Sequence, residues 1–261
     1  MVKTSERRDV RPRATGTAQP DRFVQPRQSA MVRFGKRLRD PVNAFLADQS
    51  LIGDQAVHDA AVVPGLEEIR PQWQSIRDEL LPLMHERESI PPLGKISPDH
   101  RRIASTPAWK SYFFSGYGWH SRANRAICPQ TSQAIDSVPG MVVAFFSIME
   151  PGTHVPRHRG LTKAWLNCHL PLIVPDDGGR CEIAINGEFH RWEQGQWLVF
   201  DETFEHEVWN LSSQPRVVLF LQVQRPMGAA GRLASKAIYH GIRNSSFVGD
   251  ARSAIGATKS R

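Results

Sequence analysis

The feature that most constrains the fold is a series of short apolar segments, several with alternating polar and apolar residues, between Trp109 and Pro226. Alternation with a period of two is typical of strands that have one buried face. Asn186-Gly187 separates two of these segments, and this pair favours a two-residue hairpin because both turn positions need positive φ. Many short strands with turns between them predict a β-sandwich or a β-barrel. The predicted strands are Lys110–Tyr117, Met141–Met149, Ala164–Val174, Arg180–Ile185, Glu188–Trp192, Gln196–Phe200, Glu207–Asn210 and Arg216–Gln224.

The segments on either side of these strands have other patterns. The weakly amphipathic stretch from Met31 to Leu51 predicts a helix. Apolar residues after Pro71 recur at helical spacing and predict a second helix that covers one face of the core. Residues 87–105 are rich in proline and predict a long loop, and Pro129 to Ser137 predict a brief helix. We therefore expect a disordered basic arm at 1–30, a helical and loop extension packing on the core at 31–106, the β domain at 107–226, and a basic surface extension at 227–261.

The net charge of +7 is unevenly distributed along the chain. Residues 1–40 hold 11 Lys/Arg and 4 Asp/Glu, residues 227–261 hold 6 and 1, and the middle is mildly acidic. Basic ends can contact nucleic acid or an anionic membrane. The N-terminal one, however, mixes arginine with proline, glutamine and aspartate and has few aromatic residues, which favours a solvated arm. We infer no nucleic-acid partner and leave open a peripheral membrane contact.

Targeting signals and cysteine usage bear on the compartment. The chain has no run of about 18 apolar residues that would span a membrane, and its start lacks the apolar middle of a secretory signal. Cys128, Cys168 and Cys181 are odd in number and have no C-x-x-C spacing, so we interpret them as reduced thiols. These features predict a cytoplasmic protein.

Two of the ten histidines stand at junctions between predicted strands and loops. His158 comes after the strand Met141–Met149, and His206 comes just before Glu207–Asn210. Imidazole is the commonest metal ligand and suits iron, and strands that are far apart in the sequence can lie side by side in a barrel. Spacing alone favours surface histidines or hydrogen-bonded core histidines, and the metal interpretation stays open beside them.

Several sequence blocks give the chain a resemblance to a known family. The blocks are Ser-Ile-Met-Glu-Pro-Gly-Thr-His-Val at 147–155, His-Arg-Gly at 158–160, His-Leu-Pro-Leu-Ile-Val-Pro at 169–175, Trp-Glu-Gln-Gly at 192–195, Phe-Asp-Glu-Thr-Phe-Glu-His-Glu-Val-Trp-Asn at 200–210 and Arg-Val-Val-Leu-Phe-Leu at 216–221, with a looser match at Trp109, Tyr117-Gly118 and Cys128-Pro129. Together they resemble the aspartyl/asparaginyl β-hydroxylases, a branch of the iron(II)- and 2-oxoglutarate-dependent dioxygenases. The resemblance implies a mainly β fold, the double-stranded β-helix (a cupin-like jelly roll), with flanking N-terminal helices.

The resemblance also implies a role for each matching residue. His158 and His206 match the two iron ligands of the family. Ser147 and Arg216 match the residues that bind the distal carboxylate of 2-oxoglutarate, and His169 matches a residue near its other end. Arginine suits this task because its planar fork pairs bidentately with a carboxylate. The implied cofactors are iron(II), the cosubstrate 2-oxoglutarate and O2, and the implied reaction hydroxylates an unactivated C–H bond in an Asp- or Asn-like residue or a related small molecule.

Three positions near these residues bear on the metal and the substrate. Many related oxygenases have a carboxylate ligand two residues after the first histidine, where this chain has Gly160. The β-hydroxylase branch also has glycine there, whereas the related lipid A hydroxylases tend to have aspartate. Asn167 stands where the family usually has arginine, and Trp165 stands where it often has a basic or small residue. Because asparagine carries no charge, we expect Trp165 and Asn167 to face a neutral or aromatic-containing substrate.

The remaining polar residues of these blocks have more ordinary interpretations. His154 is expected to form a hydrogen bond at a strand end and not to bind metal. Asp201 and Glu202 are expected either to orient His206 or to be solvated, and the tryptophans are expected mostly to pack the barrel. Two other functions stay open, a non-catalytic cupin-like sensor of metal and 2-oxoglutarate and a lipid acyl-chain hydroxylase.

Overall fold

The computed structural model describes residues 30–257, but not the side chains of residues 30–37, 98–99, 246–247 and 256–257. The predicted strand region forms two antiparallel sheets. The long strands are the ones with the clearest apolar runs, as expected for strands buried on at least one face. The strands are β1 Val57–His58, β2 Trp109–Gly116, β3 Trp119–His120, β4 Met141–Met149, β5 Thr153–His158, β6 Trp165–Ile173, β7 Cys181–Ile185, β8 Glu188–His190, β9 Leu198–Phe200, β10 His206–Asn210 and β11 Arg216–Gln224.

The strand order identifies the fold class. The larger sheet has the order β1-β9-β6-β11-β4-β2-β3, and the smaller sheet has the order β5-β10-β7-β8. Strands that are distant in sequence therefore alternate as neighbours, with β11 between β6 and β4 and β10 between β7 and β5. The predicted hairpin is also present, since Asn186 and Gly187 have φ of 51° and 87° and join β7 to β8. The expected double-stranded β-helix is confirmed.

Helices flank the two sheets at both ends of the chain. The helix expected from Met31, the one after Pro71 and the brief one from Pro129 are confirmed. The helices are α1 Ala30–Asp48, α2 Leu66–Ile69, α3 Trp73–His85, α4 Leu93–Ile96, α5 Arg122–Ile127, α6 Pro129–Asp136, α7 Ala229–Arg243 and α8 Ser246–Ala257, and shorter 3-10 turns lie at Ala60–Val62, Arg70–Gln72, Arg87–Ser89 and Pro98–Arg102. None of these helices has the length and apolarity needed to cross a membrane.

Two sequence predictions outside the barrel were wrong. Residues 87–105 are not a continuous loop, because α4 and two 3-10 turns form between their prolines. The segment after residue 226 is not only a surface extension, because Ile238, Tyr239 and Ile242 recur at helical spacing in α7 and pack on a cluster that contains Trp165. The predicted disordered arm at 1–30 lies outside the described residues except for Ala30.

The larger sheet has two faces with different partners, because side chains alternate along each strand. Its outer face, with Phe146, Leu170 and Leu219, packs against Ile76 and Leu80 of α3 in one apolar cluster. The inner face, with Met149 and Val218, packs against the smaller sheet. The N-terminal helices share an apolar core with the larger sheet. The predicted boundary between the extension at 31–106 and the β domain at 107–226 therefore stays a prediction. The space between the sheets is the place for a site.

Candidate functional site

The two predicted metal ligands lie directly opposite each other in the smaller sheet. His206 of β10 pairs with His158 of β5, and the centroids of their rings are 4.1 Å apart. His158 was expected at a junction between a strand and a loop, and it is the last residue of β5, a strand that was not predicted. The alternation of buried Thr153 and Val155 with exposed neighbours is the signal for this strand. Pro156 obscures it, although proline is tolerated because β5 is an edge strand.

Both imidazoles are held in the form that binds metal. The Nδ1 atom of His158 donates a hydrogen bond to the Pro156 carbonyl (2.8 Å), and Nδ1 of His206 donates to the Phe204 carbonyl (2.9 Å). Each Nε2 is therefore the acceptor atom of the neutral ring. Burial, followed by the neighbouring His206, lowers the pKa of His158 to about 3, and burial also lowers the pKa of His206. Two neutral rings with open Nε2 atoms fit a divalent metal such as iron(II).

Among the side chains that the structure describes, no third His, Cys, Asp or Glu joins these two in a metal-binding group. Position 160 is occupied by glycine, and its amide donates to the Glu202 carbonyl (2.6 Å). A Cβ added at Gly160 would overlap the carboxyl group of Glu202. The side chain of Glu202 thus fills the space next to Gly160. The sequence did not predict this contact.

Arg216 is a buried cation with unused hydrogen-bond donors. It opens β11, is 2% exposed, and lies over the ring of Trp192 with 4.4 Å between its guanidinium carbon and the ring centroid. One of its terminal nitrogens contacts the sulfur of Met149, but Nε and Nη1 have no partner among the described residues. Burial lowers the pKa of Arg216 to about 10. Unpaired buried donors need an acceptor, and the planar guanidinium fits a carboxylate.

His169 also has an unsatisfied donor. Trp192 Nε1 donates to its Nδ1 (3.3 Å), which leaves Nε2 as the protonated nitrogen of the neutral ring. That Nε2 is buried and has no partner among residues 30–257. Burial, followed by the charge of Arg216, lowers the pKa of His169 far below its usual value. His169 can therefore donate to an oxygen of a ligand that also reaches Arg216.

A continuous line of side chains connects the histidine pair to Arg216. The ring centroid of Phe200 is 5.5 Å from that of His206 and 5.1 Å from that of His169, and Trp192 then bridges His169 to Arg216. Trp192 was expected only to pack the barrel, and Phe200 was not singled out. Trp192 and Phe200 both touch residues of the candidate site. The sequence does not indicate these contacts, because they join residues that are far apart along the chain.

Ser147 lies on the inner face of β4, diagonally across from Arg216 in the pairing of β4 with β11. It is 2% exposed, and its hydroxyl accepts a hydrogen bond from Trp109 Nε1 (3.0 Å). The hydroxyl hydrogen remains available for an acceptor. Ser147 and Arg216 thus bring donors to the same inner face, consistent with their expected role.

The residues expected on the substrate side lie further along the same face of β6. Trp165 is buried and makes an edge contact with Tyr117, with 6.5 Å between the centroids. Asn167 Nδ2 donates to Glu202 (3.1 Å), and Asn167 Oδ1 accepts from Gln222 (3.1 Å). The amide of Asn167 therefore binds a carboxyl group of this chain.

Two further polar residues have structural partners. Asp201 is fully buried and pairs with Lys163 (3.0 Å) and with Arg225, so it is not solvated, and the Phe204 carbonyl orients His206 instead. His154 Nε2 contacts a Glu207 oxygen (2.7 Å), which agrees with its expected hydrogen bond at a strand end. The three cysteines are free and buried.

We expect Glu202 to make the stability of the metal-free protein depend on pH. Burial raises its pKa to about 7 from 4.5. As the pH rises from 4.5 to 7, the unfolded chain loses this proton while the folded chain keeps it, so the folded state loses relative stability. Glu202→Gln cannot ionise and should escape this loss. The melting temperature of the variant minus that of the wild type should therefore be larger at pH 8 than at pH 5.

Thermal melts of metal-free protein at both pH values test this expectation. Glu205→Gln alters a more exposed carboxylate on the same loop and controls for the loss of a charge. A difference in melting temperature that does not change with pH for Glu202→Gln would contradict the expected titration.

The family model and the curated relatives agree on one family. The family model described as aspartyl/asparaginyl beta-hydroxylase matches residues 70–226. An ornithine lipid ester-linked acyl 2-hydroxylase from Rhizobium tropici is 34% identical over 212 residues, which cover 81% of this chain and 75% of that enzyme. The human aspartyl/asparaginyl beta-hydroxylase is 32% identical over 171 residues, which cover 62% of this chain but 21% of the human protein. Among solved structures, a Pseudomonas putida prolyl-4-hydroxylase is 19% identical, with a TM-score of 0.38 and coverage of 71% of this chain and 97% of that one.

Proposed function

The chain belongs to the aspartyl/asparaginyl β-hydroxylase family of hydroxylases, and from this premise we propose that it is an iron(II)- and 2-oxoglutarate-dependent dioxygenase acting on an unactivated C–H bond. The observation that carries the proposal is the pairing of His158 with His206, whose neutral rings leave both Nε2 atoms open. The unpaired donors of Arg216 deeper in the barrel add a carboxylate subsite.

The iron site proposed here is formed by His158 and His206. The backbone carbonyls of Pro156 and Phe204 fix the tautomer and the ring orientation, which is the usual task of groups around a metal ligand. A two-histidine site leaves coordination positions for cosubstrate, oxygen and water. When bound with 2-oxoglutarate and O2, iron(II) supplies the oxidative decarboxylation to succinate and carbon dioxide that drives hydroxylation.

The cosubstrate subsite proposed here is the inner face around Arg216. Its guanidinium pairs with the distal carboxylate, and the hydroxyl of Ser147 donates to the same group. His169 donates from Nε2 to an oxygen nearer the histidine pair. Trp192 holds both Arg216 and His169 in place. Because Nε and Nη1 of Arg216 and Nε2 of His169 are buried without partners, they are preorganised for an anion in a site shielded from water.

We further infer that the substrate is the acyl chain of a lipid. The acyl 2-hydroxylase of R. tropici is matched over 75% of its length, whereas the chain spans only about a fifth of the human and mouse β-hydroxylases. The neutral, satisfied amide of Asn167 supports a substrate without an acidic side chain. β-Hydroxylation of an Asp or Asn residue is the second candidate, supported by the 31–32% identity to those two proteins.

Succinate formation from 2-oxoglutarate tests the proposal. Purified protein is incubated with iron(II), 2-oxoglutarate and air, and with ornithine lipids, phospholipids or Asp- and Asn-containing peptides. We expect succinate and a hydroxylated acyl chain only with a lipid. Turnover limited to Asp-containing peptides would favour the second candidate. Binding of iron and 2-oxoglutarate without succinate from any pool would favour a sensor and contradict an enzymatic role.

A further inference from the structure

Exposed apolar residues form a stripe along α1. Leu38, Val42 and Phe45 are 46%, 37% and 41% exposed, and their spacing of four and three residues places them on one face of the helix. A different face is docked on the protein, where Leu46 is fully buried and Asn43 is 7% exposed. Side chains of this size are rarely exposed together on one face without a partner.

The stripe lies near the histidine pair because α1 is attached to the loop that follows His158. Asn43 Nδ2 donates to the Leu161 carbonyl (3.2 Å), and Asn43 Oδ1 accepts from the Lys163 amide (2.9 Å). Leu161 in this loop is itself 53% exposed. We define the docking surface as the stripe Leu38, Val42 and Phe45. The helix that carries it is bonded to Leu161, which is three residues from a candidate iron ligand.

Basic residues are frequent in the sequence of α1 and of the loop beside it. Arg159 is exposed in the same loop, between His158 and Gly160. The sequence of α1 contains four basic and two acidic residues, and residues 1–40 carry a net +7. Apolar side chains at helical spacing combined with Lys and Arg are typical of helices that lie in the interface of an anionic bilayer. A partner protein would need a matching apolar and acidic surface, whereas an anionic membrane supplies both features.

We propose that the docking surface seats the enzyme on an anionic lipid bilayer and places the entrance of its site at the membrane. The purpose of this contact rests on the proposed acyl-chain substrate, because membrane lipids present their acyl chains inside a bilayer. The contact itself does not depend on catalysis. It can therefore be tested with metal-free protein.

Sedimentation of the full chain with vesicles tests the proposal. Vesicles contain either phosphatidylcholine alone or phosphatidylcholine with phosphatidylglycerol. We expect binding to the anionic vesicles that weakens as salt rises. Val42→Ser/Phe45→Ser should reduce partitioning by at least about tenfold, because two apolar side chains no longer enter the interface. Leu81→Ser/Ile127→Ser, which changes two equally exposed apolar residues on α3 and α5, is the matched control and should bind like the wild type.

Three results would overturn the proposal. The first is that the wild-type protein does not bind anionic vesicles. The second is that the Val42→Ser/Phe45→Ser variant binds them as well as the wild type. The third is a concentration-dependent dimer that this variant abolishes while vesicle binding persists, which would assign the surface to a second copy of the chain. Failure of the proposed function is distinguishable, since vesicle binding without lipid hydroxylation leaves the docking intact. With substrate dispersed in detergent, the variant should retain wild-type turnover.

Discussion

His206→Ala is expected to abolish iron binding and to lower hydroxylation by at least about a hundredfold, the upper end of the loss seen when only a supporting residue of a metal site is removed. His206 supplies one of two open imidazole nitrogens, and no third metal-binding side chain joins them in the described part of the chain. A lone His158 then holds the metal weakly. His158→Ala should have the same effect for the same reason.

The matched control is His154→Ala. His154 lies on the same strand as His158, but its Nε2 contacts Glu207 and its ring stacks on Trp209. We expect this variant to bind iron and to form succinate at close to wild-type levels. Iron content after dialysis and the rate of succinate formation are the two measurements. Iron retained by His206→Ala at the wild-type level would place the metal elsewhere.

Arg216→Met is expected to raise the KM for 2-oxoglutarate by about a hundredfold, because two charge-assisted hydrogen bonds are lost. The same substitution should not lower the free energy of unfolding of the metal-free protein. The guanidinium of Arg216 is buried with two unpaired nitrogens. Without metal and cosubstrate, loss of this charge should therefore stabilise the folded protein or leave its stability unchanged. Replacing an uncompensated buried charge with a packed apolar group is neutral or stabilising, here by about 1 kcal/mol.

Arg225→Met provides the contrast. Arg225 is equally buried but pairs with Asp201, whose side chain is 0% exposed. Removing it leaves Asp201 with Lys163 and Thr203 only, and should cost about 3 kcal/mol of unfolding free energy. Urea unfolding of both metal-free variants measures the change in stability. The dependence of succinate formation on the 2-oxoglutarate concentration measures the KM. A large loss of stability in Arg216→Met, or an unchanged KM, would contradict a carboxylate-binding role for Arg216.

The strands of the barrel were largely predictable from local pattern. Those with long apolar runs, such as β4 and β11, were identified within a residue or two because burial on a sheet leaves a clear signal. β1 and β3 were missed because two residues are too few for any periodicity. β5 was missed because it contains Pro156 and ends in polar residues, and edge strands tolerate both.

The candidate site was predictable only in part. The spacing of His158 and His206 did not separate a metal pair from ordinary histidines, and the resemblance of the surrounding blocks made the assignment. The contacts of Trp192 with Arg216 and His169 have no local signal, because they join strands that meet only after folding. The position of Glu202 beside Gly160 was hidden for the same reason.

The location of His158 at the end of an edge strand has a consequence for the motions of the barrel. β5 is bonded to the smaller sheet along one side only, through β10. An ion shared by His158 and His206 would pin the open end of that strand to its neighbour. Amide hydrogens of β10 should then exchange with solvent markedly more slowly when metal is added, while those of the central strand β11 should change little. Metal binding and the local opening of β5 from β10 would then be coupled to each other.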